Sequence, residues 1–132
     1  MNKAIAQYQQ LNVSSVVDSA SPHELVDMLF TGATSRLKKA DGCIRHDDID
    51  GRNAAINDAI SILHGLQASL DHEQGGELAE NLDSLYGYMQ RQLVRANSDN
   101  DAGVVAEVVD LLNTLREAWQ AIGDMPAAVQ HA

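Results

Sequence analysis

The chain has 132 residues, 45% of them apolar, and 19 acidic against 9 basic side chains give a formal net charge of −10. That length suits one domain with one core, and the charge repels phosphate backbones and anionic surfaces, so no nucleic-acid partner is expected. No stretch reaches the roughly 18 consecutive apolar residues of a membrane span, Cys43 is the only cysteine, and the start MNKAIAQYQQ lacks the apolar region of a secretory signal. Membrane insertion and an internal disulfide are therefore not expected, and a cytosolic location is.

Residues 1–20 are polar with scattered Ile5, Tyr8, Leu11, Val13, Val16 and Val17, and read as an amino-terminal arm that packs weakly. The stretch SPHELVDMLF at 21–30 then opens the first helical segment, which runs to about residue 46. Ser21 can cap it, Pro22 fits the first helical position, and Glu24 can reach back to the cap, so SPHE reads as a capping box. His23 is then an exposed first-turn residue. Leu25, Met28, Leu29, Leu37, Ala40 and Ile44 lie on one side of this segment. The second segment, about 50–71, carries Ile56, Ala59, Leu63, Leu66 and Leu70 at helical spacing.

The third segment, about 76–97, carries Leu78, Leu82, Leu85, Met89 and Leu93, and Gly75 and Gly76 ahead of it read as a helix break followed by a helix start. The fourth, about 101–122, carries Val104, Val108, Leu111, Leu115, Ala118 and Ile122. The connections DDIDG, HEQGG and NSDND are too short to run back along helices of about 30 Å, so neighbours must be antiparallel. The fold class is all-α: an antiparallel up-down-up-down four-helix bundle over 21–123, preceded by the arm and followed by a flexible tail at 124–132.

Chemistry finds little support. His23 and Glu24 fail as a zincin motif because Asp27 stands where a second His is needed, and none of the five histidines has Glu three residues before it, as bundle di-metal sites require. Cys43 and His46 could share a face, but two ligands do not close a zinc site. The glycine pair lacks the Lys and Ser or Thr of a phosphate-binding loop. Neither a metal nor any other cofactor is expected, and no enzyme activity. One alternative is a histidine phosphotransfer bundle acting through His64 in SILHGLQAS, although Gln67 and Ala68 stand where such modules carry Lys and Gly.

A bundle helix needs about three apolar residues in seven, and the last two segments have more. The third adds Tyr86, Tyr88 and Val94, and the fourth adds Val105, Val109, Leu112 and Trp119. Val109 and Leu112 read as a wider core, whereas Tyr86, Tyr88 and Met89 read equally as core or as a helix-binding surface. Gly87 inside a helix calls for a reason such as close approach of another backbone. The arm could lie over an exposed groove through Ile5, Tyr8, Leu11 and Val13 until a partner helix displaces them.

Taken together, ASPHEL at 20–25, SLDHEQGGELAENLDSLYGYM at 69–89, RAN at 95–97 with Asn100 and Asp101, and EVVDLLNTLREAW at 107–119 resemble the flagellin-specific export chaperones of the FliS family, from about Tyr8 to Trp119. Family members often read Tyr-Asp-Gly-Ala where this chain has Phe30, Thr31, Gly32 and Ala33, and an acidic residue in place of Gly87. The resemblance implies a cytosolic chaperone that is not an enzyme. Such a protein holds the disordered carboxy-terminal segment of flagellin, prevents premature polymerisation and delivers its client to a component of the flagellar type III export gate. On that resemblance the client groove is expected at Ile5, Tyr8, Val13, Leu82, Leu85, Tyr86, Met89 and Leu93. An adaptor bundle for another partner is the fallback, and monomer and homodimer both stay open for the client-free protein.

Overall fold

Helix α1 (Pro22–Arg45) begins where the sequence places a cap. The Ser21 hydroxyl accepts the Glu24 amide at 3.1 Å and itself donates to the Glu24 carboxylate, so the box closes through side chains. A cap of this kind stabilises a helix by about 1 kcal/mol. The computed structural model describes residues 21–122. Besides α1 they form α2 (Ile49–Ala68), α3 (His72–Asp99) and α4 (Ala102–Ala121), making an all-α four-helix bundle.

Each turn between helices is closed by a short polar side chain. Asp47 takes a left-handed conformation, φ 56°, which aspartate tolerates better than most residues, and Asp48 then caps α2 by accepting the Gly51 amide at 2.9 Å. A Cβ on Gly51 would collide with that capping carboxylate and lie 2.8 Å from Cys43 Sγ, so only glycine fits there. Asp71 caps the first turn of α3 through the amides of Glu73 and Gln74. Left-handed Asn100 ends α3, and Asp101 caps α4 through the amides of Gly103 and Val104. These caps account for the acidic and Asn-rich connections.

The glycine pair breaks the helix where the sequence suggests, but a helical turn already precedes it. Residues 72–75 form a helical turn on the Asp71 cap, and Gly76 then adopts φ 50°, ψ −126° before the long part of α3 begins. No neighbour would obstruct a Cβ at Gly76, so the penalty of Gly76→Ala is purely conformational. It is expected to cost about 1–3 kcal/mol, read by urea denaturation.

Gly87 is different. The groups nearest to a Cβ there are the flexible tip of Arg91 at 3.2 Å and the Gln67 side-chain nitrogen at 3.5 Å, not the backbone of another helix. The sequence expectation of a close backbone approach is therefore corrected: a side chain lies over Gly87. Gln67 reaches across α3 to donate to the Asp83 carbonyl at 3.2 Å and accepts from Gln90 at 2.8 Å. Since the backbone is helical and the Arg91 tip can yield, Gly87→Ala is expected to stabilise the protein by about 0.5–1 kcal/mol. A raised thermal midpoint is the readout.

α1 packs on α2 and α4, α2 on α3, and α3 on α4. Cross-helix bonds pair rising with falling numbers: His23 with Trp119 and Asp27 with Arg116 join α1 to α4, while Arg52 with Asn97 and Gln67 with Asp83 join α2 to α3. Those pairs are antiparallel, as the short connections require. Arg52 also donates to Asn100 at 2.9 Å, which gives the asparagines of the RAN stretch and its turn a shared job in fastening the start of α2 to the end of α3.

The core is aliphatic as expected, with Leu29, Leu37, Ile56, Leu63, Met89, Leu93 and Leu112 fully buried. Two stripes differ from the sequence reading. On α4 the buried residues are Val104, Val105, Val108 and Leu112, while Leu111, Leu115 and Ile122 are half-buried and Ala118 is exposed. α4 lies against both α1 and α3, so its buried arc is centred between the two apolar stripes and not on the heptad alone. On α3, Leu78 is 48% exposed, because the bundle interior begins only further along that helix.

Candidate partner-binding groove

Among the described residues, one end of the bundle is not closed over its apolar interior. On α3, Tyr86, Met89, Leu93 and Ala96 are buried, but before Tyr86 only Ala79 is. Leu78 and Leu82 therefore face a groove of about 320 Å³, to which all four helices contribute. α1 supplies His23, Val26 and Phe30 from its first three turns, and the end of α2 supplies Leu66 and, just beyond it, Leu70. Leu115, Trp119 and Ile122, at the end of α4, form the opposite wall. Among the described residues Asp71 is the one acidic lining residue, and no Lys or Arg lines the groove. An apolar depression with few polar groups suits the apolar face of a helix.

The α1–α4 wall is held by a reciprocal clasp. The His23 and Trp119 rings stack with centroids 4.7 Å apart and planes 9° from parallel. The Trp119 indole donates to the His23 carbonyl at 2.9 Å, and His23 Nε2 donates to the Trp119 carbonyl at 2.6 Å, which fixes the proton on that nitrogen because a carbonyl only accepts. One turn further in, Arg116 donates to Asp27 at 3.1 Å. The sequence reading of His23 as an exposed first-turn residue is corrected: it is half-buried and joins two helices.

The residues expected to meet a client fall into three groups. Leu82 and Tyr86 line the groove. Leu85 is half-buried against the core and lies outside the groove lining. Met89 and Leu93, both 0% exposed, belong to the core and offer no surface to a partner, which corrects that part of the expectation. Their 3–4 spacing from Tyr86 carries them inward along α3 past the point where the other helices close in. Ile5, Tyr8 and Val13 lie outside the described residues, as do the arm and tail boundaries. Leu66, Leu70, Leu115, Trp119 and Ile122 were not singled out for binding. Their signal was positional: large apolar residues at helix ends, beside polar turns with nothing apolar to cover them.

Tyr86 is 3% exposed, and burial pushes its phenol well above the ordinary value. Among the described residues its hydroxyl has no hydrogen-bond partner, although its backbone carbonyl accepts from the Gln90 side chain. Tyr88 contrasts with it, because its hydroxyl donates to Glu107 at 2.7 Å and that bond raises its phenol.

Among the described residues, no group of three or more His, Cys, Asp or Glu side chains could hold a metal ion, and no helix is long and apolar enough to cross a membrane. His64 is exposed on α2 between buried Leu63 and Gly65.

A four-helix bundle whose open apolar groove draws on every helix has the form of a binding protein for an apolar partner surface. The profile of the family described as "Flagellar protein FliS" matches residues 4–126, and the chain belongs to that family. Over 119 residues it is 47% identical to the flagellar secretion chaperone FliS of Salmonella typhimurium, covering 89% of this chain and 88% of that protein. It is 42% identical over 120 residues to the flagellar secretion chaperone FliSB of Pseudomonas aeruginosa, covering 91% and 95%, and 39% identical over 129 residues to FliS of Escherichia coli, covering 97% and 95%. The family is one of chaperones and not of enzymes, which sets aside the phosphotransfer reading of His64.

Proposed function

We propose that the protein is a cytosolic flagellar export chaperone that binds the disordered carboxy-terminal segment of flagellin, keeps it from polymerising and passes it to a component of the flagellar export gate. The observation that carries this reading is the groove, an apolar surface drawn from all four helices that no other described residue covers. The kinship with secretion chaperones supports a protein client, and the apolar lining supports a helical one. A disordered segment that folds along the groove offsets its ordering cost by burying apolar area against Val26, Leu78, Leu82 and Leu115.

In the same proposal the arm serves as a temporary cover. Pro22, the first residue of α1, is on the groove lining. Ile5, Tyr8 and Val13 would then compete with the client for the same surface. Without that cover, pairing of two grooves would give a homodimer of the client-free protein.

The reading is tested by following polymerisation of the host's purified flagellin by light scattering. An equimolar amount of this protein is expected to suppress filament growth. Unchanged growth at a several-fold excess would contradict it.

A further inference from the structure

The Tyr86 hydroxyl is a buried polar group of the groove that has no partner among the described residues. Tyr86 lines the groove, is 3% exposed, and has no hydrogen bond to its phenol among the described residues. A buried hydroxyl without a partner is costly, and native proteins satisfy the great majority of such groups. The Tyr88 hydroxyl, two residues along, has its partner in Glu107.

We infer that Tyr86 reads a neutral hydrogen-bonding side chain (Ser, Thr, Asn or Gln) set in the apolar stripe of the client segment, and that this pairing is made only when the client is bound. The inference rests on the proposed function and names what the groove selects. The lining decides the chemistry. In a helical client the backbone carbonyls are already engaged in the helix's own ladder, so the partner must be a side chain. A carboxylate is disfavoured by Asp71 on the lining and by the net charge of −10. A Lys or Arg head would have to be desolvated among Phe30, Leu66 and Leu82, and the Asp71 carboxylate on the lining is already engaged in capping α3 through the amides of Glu73 and Gln74. A neutral amide or hydroxyl meets neither objection. Specificity of this kind is strong because a client lacking the polar group leaves the phenol unpaired in a site now closed to water.

Tyr86→Phe removes the hydroxyl and keeps the ring that packs beside Met89. Because the hydroxyl has no partner among the described residues, its loss is expected to raise the melting temperature of the full chain by roughly 2–6 °C. In the same variant, affinity for the host's purified flagellin is expected to fall roughly two- to tenfold. A merely structural tyrosine would not move the two readouts in opposite directions. In a double-mutant cycle, one Ser→Ala, Thr→Val, Asn→Leu or Gln→Leu change in the client segment should cost wild type as much as Tyr86→Phe does, and cost the variant nothing further.

A lower melting temperature in Tyr86→Phe would overturn the inference, since the hydroxyl would already have a partner in the free protein. Unchanged affinity, or a cycle in which every client change is additive, would overturn it while leaving the chaperone reading standing. Absence of flagellin binding by the wild-type protein would instead remove the proposed function and this inference together.

Discussion

Replacing Leu93 by alanine is expected to lower the stability of the bundle by about 2–5 kcal/mol, measured by urea denaturation, while leaving client affinity unchanged under conditions where the variant remains folded. Leu93 is 0% exposed and belongs to the same buried cluster as Met89, Ala96 and Leu112. Its side chain fills space that four helices enclose, so truncation removes transfer energy and leaves a cavity that the surrounding helices only partly relax into. A partner contact would give the opposite pattern, weaker binding with stability intact. That outcome would mean α3 is rotated relative to the described packing.

The complementary change is Leu78→Asp, expected to weaken client binding by about 2 kcal/mol, or roughly 30-fold, with stability altered by less than about 0.5 kcal/mol. Leu78 lines the groove yet is 48% exposed, so the free protein has little packing to lose. It also stands two residues after Gly76, near the start of the long part of α3, where an acidic side chain suits the helix dipole. A charge at Tyr86 would be a poorer probe, because that side chain reaches into the core and folding would suffer along with binding. Calorimetric titration with flagellin, paired with circular dichroism of the variant, reads both quantities. A folded Leu78→Asp variant that binds as tightly as wild type would place the client elsewhere on the bundle.

Much of this arrangement is written in local chemistry. Ser21, Asp48, Asp71 and Asp101 each cap a helix at or beside a boundary that capping residues and apolar spacing mark in the sequence, and the break at Gly76 follows from a glycine pair between two apolar runs. Less legible is which apolar residue of a surplus faces inward. On α4, periodicity alone favours Leu111 and Leu115, whereas contact with two neighbouring helices selects Val105 and Leu112. Met89 and Leu93 share a stripe with Leu82, yet the stripe passes from an open end of the bundle into its interior, so one periodic pattern serves two environments. The His23–Trp119 clasp joins residues 96 positions apart, and no local spacing could announce it.

The central claim is that the groove folds a disordered flagellin segment into helix. It is tested most directly by titrating the full chain with a peptide covering the carboxy-terminal segment of the host's flagellin, following heat at several temperatures and helicity by circular dichroism. A one-to-one complex with a gain of helix beyond the sum of the parts and a negative heat-capacity change is the predicted result. The absence of binding to the carboxy-terminal segment of any flagellin of that host would contradict it.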